Sequence, residues 1–128
     1  MTNFMARFSD QTYALFRIVT GFLFLCHGSQ KLLSFPLPAR EGTPDFITYG
    51  AGGIELVGGA LVLLGLFAPW PAFICSGMAA AAYWIAHGTN ALFPIANRGE
   101  LIALYCFAFL FIASKGSGIW SLDALMKK

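Results

Sequence analysis

Four apolar segments, each close to the length of a membrane span, dominate this chain of 128 residues. The segments cover approximately residues 13–31, 46–67, 70–87 and 99–114. A helix needs roughly 20 apolar residues to cross a hydrocarbon core about 30 Å thick. Because 58% of the residues are hydrophobic and only 11% are charged, against about 25% charged residues in a soluble domain, the sequence predicts an all-α membrane protein.

The connections between the segments predict how the helices are arranged. Only Ala68 and Pro69 separate the second segment from the third, so these two helices are expected to be antiparallel neighbours. The expected fold is one domain over residues 1–128, a transmembrane four-helix bundle with up-down-up-down topology. An even number of spans places both termini on one side of the membrane. That side carries Arg7, Lys115, Lys127 and Lys128, and the other carries Lys31, Arg40 and Arg98. The slight basic excess favours termini in the cytoplasm.

Two similar polar phrases end the first and third segments. Residues 26–33 read CHGSQKLL, and residues 86–93 read AHGTNALF. In the predicted topology both phrases lie at the outer end of the bundle, together with the polar residues of the helices that start there. The residues gathered at this end are His27, Gln30, Lys31, Glu55, His87, Asn90, Asn97, Arg98 and Glu100.

Helical spacing predicts which faces point inward. The stripe of the first helix steps by three and four residues through Arg17, Thr20, Phe24, His27 and Lys31. The second stripe is Gly52, Glu55, Gly59 and Val62, and the third is Ala80, Trp84 and His87. A charge at the bilayer centre costs about 2.5–3.5 kcal/mol, so these faces are expected to meet inside the bundle. Arg17 has two alternatives, since it can extend to the nearer membrane surface or reach inward towards Glu55.

The two halves of the chain share a pattern beyond the histidine phrases. After each phrase comes a loop and then a helix that begins with Gly-Ile-Glu-Leu, residues 53–56, or Arg-Gly-Glu-Leu, residues 98–101. This pattern predicts two parallel two-helix repeats related by an axis along the membrane normal. The alternative is a chance similarity of two short motifs.

Several of these residues have structural explanations. His27 and His87 can simply lie where a helix meets water, and Lys31 and Arg98 can contact lipid headgroups. Asn97 with Glu100 fits a capping box at the start of the last helix. Cys26, Cys75 and Cys106 show no paired spacing and are expected to pack as small apolar groups, although Cys26 beside His27 leaves redox chemistry open.

The chemistry of the gathered residues favours a ligand over a metal. Metal sites in helical bundles carry Glu-x-x-His on one helix, a motif that this chain lacks, so no metal site is predicted. A pocket of histidine, carboxylate and basic side chains suits a quinone headgroup and proton transfer, since histidine titrates near neutral pH. The basic residues are scattered along the chain, which argues against binding to nucleic acid.

The order of these motifs resembles the DoxX family of small four-helix membrane proteins. The resemblance runs from about Leu15 to Asp123. It rests on His27-Gly28-Ser29-Gln30-Lys31-Leu32, on Gly53-Ile54-Glu55-Leu56-Val57-Gly58-Gly59-Ala60-Leu61 with Gly65-Leu66-Phe67, on His87, on Phe93-Pro94 and on Asn97-Arg98-Gly99-Glu100-Leu101.

The resemblance implies a multi-pass protein of the bacterial cytoplasmic (inner) membrane, associated with quinol or thiosulfate:quinone oxidoreduction or with complexes that handle thiol and oxidant stress. The lack of a paired cysteine motif argues against a self-contained thiol relay. Fold and family do not by themselves identify an activity. Whether the chain is itself an enzyme, as an oxidoreductase subunit, therefore stays open.

The sequence thus predicts a DoxX-type membrane protein that binds a small redox ligand, with quinone as the candidate cofactor. The ligand-binding and proton-relay residues are expected to be His27, Lys31, Glu55, His87, Arg98 and Glu100. Their expected support is Arg17, Gln30, Trp84, Asn90 and Asn97. The alternatives are a non-enzymatic scaffold for a partner oxidoreductase and a small permease. The expected partners are the lipid bilayer, such an oxidoreductase and further copies of the chain.

Overall fold

The computed structural model describes residues 3–128, and every regular element in that range is helical. A short 3₁₀ turn at Ala6–Phe8 precedes the first helix. The six helices are α1 (Ser9–Leu33), α2 (Phe46–Leu64), α3 (Pro69–Ala86), α4 (Pro94–Asn97), α5 (Glu100–Lys115) and α6 (Leu122–Met126). The predicted all-α class is confirmed for the described residues, and the four long helices begin and end within four residues of the predicted segments.

Helix α2 departs from regular α-helical geometry in the half that carries Glu55. Its hydrogen bonding is of the π type over Phe46–Ala51 and again over Ile54–Gly58, and of the α type over Gly59–Leu64. π-helical turns are rare and occur frequently at functional sites. The sequence pattern gave no indication of them. Glu55 therefore lies in a locally widened turn.

The long helices pack antiparallel to their neighbours. Helices α1 and α2 approach so closely that a Cβ added to Gly59 would lie 2.6 Å from the Leu25 backbone nitrogen and 2.8 Å from the Gly21 carbonyl oxygen. Only glycine fits such a contact between two backbones. Helices α3 and α5 are joined by the Ser76 hydroxyl, which donates to the Cys106 carbonyl at 2.7 Å.

The centre of the bundle is an aromatic and aliphatic core. Phe24 of α1 packs against Tyr105 and Phe109 of α5, with ring centroids 5.1 Å and 4.6 Å apart. Tilted aromatic pairs at these separations add stability beyond their buried area. The other buried core residues are Tyr13, Val62, Ala72, Cys75, Ala79 and Ile112.

One end of the bundle, the Arg17 end, is closed by the chain after α5. Arg17 is fully buried and neither extends to a surface nor reaches Glu55. Its Nη1 donates to the Val62 carbonyl at 2.8 Å and to the Leu63 carbonyl at 2.7 Å. Its Nη2 donates to the Ile119 carbonyl at 3.3 Å and to the Trp120 carbonyl at 2.7 Å. Both alternatives considered for Arg17 are therefore wrong, because its N–H groups donate to carbonyl groups at the end of α2 and in the tail. The Val62 carbonyl also accepts from the Gly65 backbone N–H at 3.1 Å.

The tail is held against the α2–α3 turn by further hydrogen bonds. The Asp123 carboxylate accepts from the Phe67 backbone N–H at 3.0–3.1 Å and from the Ser117 hydroxyl. The Asp123 backbone N–H donates to the Gly65 carbonyl at 3.2 Å, where Gly65 adopts a left-handed conformation. Ser121 caps α6 by accepting from the Ala124 N–H at 3.1 Å.

One of the described helices, Phe46–Leu64, is long and apolar enough to cross a membrane, with a mean hydropathy of 1.6. Helix α5 has 16 residues, or about 24 Å at 1.5 Å per residue, which is shorter than the usual hydrocarbon core. Helix α1 carries Arg17, His27, Gln30 and Lys31, and α3 begins with prolines, so both are less apolar. The multi-pass arrangement stays a prediction.

Candidate pocket around Glu55

The opposite end of the bundle, the Glu55 end, contains an ion pair between α1 and α2. The Lys31 Nζ lies 2.7 Å from the Glu55 Oε2. The Glu55 side chain is only 7% exposed, whereas 26% of the Lys31 side chain is exposed. Burying a carboxylate is costly unless it is paired and hydrogen-bonded, so the lysine explains how α2 can carry Glu55 inside the bundle.

The ion pair lies in the wall of a pocket of about 410 Å³, which we call the Glu55 pocket. Its polar wall comes from α1, α2, α5, the α1–α2 loop and the segment between α3 and α5. The polar residues are His27, Gln30, Lys31, Arg40, Thr43, Thr48, Glu55, His87, Arg98 and Tyr105. Its apolar wall includes Phe24, Met78, Ala82, Leu101 and Ile102. A few polar groups converging on an apolar cavity of this size are typical of small-molecule sites.

The two histidines of the pocket are held in different ways. His27 lies within α1, and its ring meets Tyr105 edge to face with centroids 6.0 Å apart. His87 follows the end of α3, and its Nδ1 lies 3.0 Å from the Asn97 carbonyl oxygen. Helix α1 continues to Leu33, six residues beyond His27, whereas α3 ends at Ala86. The two phrases therefore do not occupy equivalent positions, although both histidines line one pocket.

Asn97 organises the connection that carries His87 and Arg98. Its Nδ2 donates to the Tyr83 hydroxyl at 2.9 Å and to the Ala91 carbonyl at 3.1 Å. Its Oδ1 accepts from the Gly99 backbone N–H at 2.8 Å. The predicted capping box is wrong: Gly99 is the N-cap of α5, and no side chain caps this helix.

Five predicted residues lie outside the pocket lining: Asn97, which is buried behind it, and the four residues described next. Glu100 and Asn90 are exposed to solvent, and Arg17 lies at the other end of the bundle. Trp84 is 65% exposed, contrary to the expected inward face of α3. The buried face of α3 instead follows Ala72, Cys75, Ser76 and Ala79, and Trp84 is off that stripe. Small residues allow α3 to pack closely on α5, so the bulky indole points away.

Four polar residues of the pocket lining, Arg40, Thr43, Thr48 and Tyr105, were not predicted as site residues from the sequence. Tyr105 lies in an apolar run, and only its spacing of four and three residues to Phe109 and Ile112 indicates an inward face. Arg40 lies in a loop without periodicity. Its segment is held near the pocket because the Gln30 Nε2 donates to the Pro38 carbonyl at 3.1 Å and the Thr43 hydroxyl to the Arg40 carbonyl at 3.0 Å.

Within residues 3–128, no three histidine, cysteine, aspartate or glutamate side chains are grouped so that they could hold a metal ion. Cys26, Cys75 and Cys106 are free thiols in this range. The arrangement is suited to binding by hydrogen bonds, charge and apolar contact. The polar residues that could contact a bound ring are His27, Lys31 and Tyr105.

Comparison with known proteins agrees with the sequence motifs. The family model described as DoxX matches residues 12–88. A Haemophilus influenzae protein described as "Uncharacterized protein" is 39% identical over 127 residues, which cover 94% of this chain and 95% of the relative. A Bacillus subtilis protein described as "Putative oxidoreductase CatD" is 38% identical over 56 residues, covering 41% of this chain and 42% of that protein. No solved structure matches the chain.

Proposed function

The chain belongs to the DoxX family, and from this premise we propose that it is a multi-pass protein of the bacterial inner membrane that binds a quinone-like redox ligand in the Glu55 pocket. The observation that carries the proposal is the buried Lys31–Glu55 pair in the wall of a pocket that His27 and His87 also line. The name of the Bacillus subtilis relative supports a link to oxidoreduction.

The surface of the bundle supports insertion into a membrane. Large apolar side chains are exposed along the middle of several helices, where a soluble protein would carry polar groups. They include Leu15, Phe16, Val19, Phe22 and Leu23 on α1, Phe73 and Ile74 on α3, and Leu104, Phe107, Leu110 and Phe111 on α5. Lipid contact would remove this apolar surface from water. Both termini are proposed to lie in the cytoplasm.

The residues of the pocket suit a quinone ring. Tyr105 and Phe24 provide an aromatic wall, and Lys31 and His27 provide N–H groups that could donate to the ring carbonyls. A quinone would supply electron transfer coupled to proton uptake and release. In this proposal His27, His87 and Glu55 exchange protons with the ligand, and Lys31 fixes the orientation of Glu55. Glu100 has no such role, because it lies outside the lining.

Ligand extraction and titration test this function. The protein is purified in a nonionic detergent, extracted with organic solvent and analysed by mass spectrometry and ultraviolet–visible absorption. We expect a co-purified quinone and saturable binding of added ubiquinone-1. Glu55→Gln is expected to weaken ubiquinone-1 binding, whereas Glu100→Gln, a matched exposed glutamate, is expected to bind normally. Absence of both an extracted quinone and saturable binding would refute the proposal.

A second candidate is a scaffold that docks a partner oxidoreductase. It is favoured by the apolar connection between α3 and α5, where Leu92, Phe93 and Ile95 are each more than 60% exposed. Affinity capture from native membranes is the test. A stoichiometric oxidoreductase that is retained by the natural chain and lost with Leu92→Ser supports docking. Equal recovery with Leu92→Ser and with the natural chain excludes docking through this surface.

A further inference from the structure

The charge of the Glu55 pocket is strongly unbalanced. Lys31, Arg40 and Arg98 line it, and Glu55 is the sole carboxylate among the described lining residues. With both histidines counted as neutral, three positive side chains face one negative one. Lys31 is already paired with Glu55, so the excess positive charge belongs to the two arginines.

These arginines have no partner within residues 3–128. Neither guanidinium group donates a hydrogen bond to another described residue or forms an ion pair with one, although Glu41 and Glu100 are close in sequence. Arginine presents five N–H groups in a planar fork that matches a carboxylate. Arg40 comes from the α1–α2 loop and Arg98 from the connection between α4 and α5. Two free guanidinium groups from separate segments therefore line one cavity.

The remainder of the pocket limits the size and polarity of its occupant. Phe24, Met78, Leu101 and Ile102 provide an apolar surface. An apolar cavity of about 150 Å³ holds a benzene ring. A pocket of about 410 Å³ thus accommodates a ring or fused ring together with an acidic group.

We propose that the Glu55 pocket takes an organic anion with a ring-sized apolar body and one acidic group, of which an aromatic carboxylate is the simplest example. The ring contacts the apolar wall, and the acidic group binds Arg40 and Arg98. The Lys31–Glu55 pair remains intact and supplies no binding charge. This inference rests on the proposed function in one respect, that the pocket binds a small ligand.

Matched probes of equal shape and different charge test the inference. Binding of 2-naphthoate and of its neutral analogue 2-naphthamide is measured by isothermal titration calorimetry on the full chain in a nonionic detergent. We expect 2-naphthoate to bind at least tenfold more tightly. Arg40→Gln and Arg98→Gln are each expected to weaken 2-naphthoate binding about tenfold and to leave 2-naphthamide binding unchanged. Both arginines are exposed, so the variants are expected to fold.

The control variant is Arg7→Gln, which removes an exposed arginine outside the pocket lining and is expected to bind both probes normally. An equal loss of 2-naphthoate binding in Arg7→Gln would mean general attraction by the net positive chain and would overturn the inference. Equal affinity for the two probes would also overturn it. Competition by phosphatidylglycerol, but not by phosphatidylcholine, would assign the arginines to a lipid headgroup and overturn the free-acid ligand.

The outcomes separate this inference from the proposed function. Binding of ubiquinone-1 and 2-naphthamide without any preference for 2-naphthoate removes the inference and leaves the quinone pocket. Arginine-dependent binding of 2-naphthoate without ubiquinone-1 binding supports the inference and removes the quinone. If none of the three probes binds, both are refuted.

Discussion

At one end of the bundle Arg17 gives its terminal N–H groups to four backbone carbonyls, whereas at the other end Arg40 and Arg98 line a pocket without a partner among residues 3–128. Arginine side chains thus have two different roles at the two ends of this small protein. A buried guanidinium group whose terminal N–H groups all donate holds segments together, although the Arg17 Nε has no partner among the described residues. One that faces a cavity without a partner is available to a ligand. The Arg17 end is therefore structural, and the Glu55 end is the candidate site.

The largest expected effect is at the Arg17 end. Arg17→Met would remove this donor from the carbonyls of Val62, Leu63, Ile119 and Trp120, of which Val62 keeps the Gly65 backbone N–H. A buried polar group left without a partner costs about 1–3 kcal/mol. We expect the free energy of unfolding to fall by about 3–5 kcal/mol. It is measured by denaturant titration in mixed micelles. Arg7→Met, at an exposed arginine, is the control and should unfold as the natural chain does. An unchanged midpoint in Arg17→Met would contradict a structural role.

The next effect tests whether both ends depend on the same close contact between α1 and α2. Gly59→Ala and Gly28→Ala each place a Cβ against the backbone of the facing helix, and we expect each to cost about 1–3 kcal/mol. Only Gly28 lies next to the pocket wall, so only Gly28→Ala should also weaken 2-naphthoate binding in the folded fraction. Thermal unfolding and calorimetry on the same samples measure the two effects.

Gly53→Ala is the matched control for these two variants. Gly53 lies in α2, as Gly59 does, but an added Cβ would meet no atom within 4 Å. Alanine is favoured over glycine within a helix by roughly 0.5–1 kcal/mol, so this variant should be at least as stable as the natural chain. If Gly53→Ala and Gly59→Ala lose equal stability, the close helix contact is not the cause.

A smaller effect is expected for the ion pair at the Glu55 end. Glu55→Gln leaves Lys31 without its partner, but Lys31 is partly exposed and can turn towards water, so we expect a loss of about 1 kcal/mol. Lys31→Met leaves a buried carboxylate and should cost more. The double variant Lys31→Met/Glu55→Leu should lose less than the sum of the single changes, because no unpaired charge remains. Additive losses would show that the two side chains do not interact.

The sequence predicted the positions of the long helices because apolar segments of this length have few other folds available. It also predicted the inward stripe of α1 and the buried Glu55, since a charge in an apolar segment must be satisfied inside. It failed where a residue's role depends on neighbours distant in the chain. The acceptors of Arg17 at residues 119 and 120 and the pocket position of Arg40 belong to segments without periodicity. The capping box failed because the Asn97 Oδ1, which would have to accept from the Glu100 N–H, accepts from the Gly99 N–H instead.

The smallest effect concerns the tail at the Arg17 end and depends on pH. Hydrogen bonds from the Ser117 hydroxyl and then from the Phe67 backbone N–H lower the pKa of Asp123 below its ordinary value of 3.8. A carboxyl whose pKa is lower in the folded state stabilises the fold above its unfolded pKa, and this stabilisation is lost as the pH falls through the folded pKa. Asp123→Asn should therefore unfold at a lower temperature than the natural chain at neutral pH, and the difference should shrink below about pH 4.

Unfolding temperatures of both chains between about pH 7 and pH 2 measure this, with Asp10→Asn, at an exposed aspartate, as the control. A difference that is constant over the whole range would mean that the Asp123 carboxylate charge does not hold the tail. The contrast between the two ends would then rest on Arg17 alone.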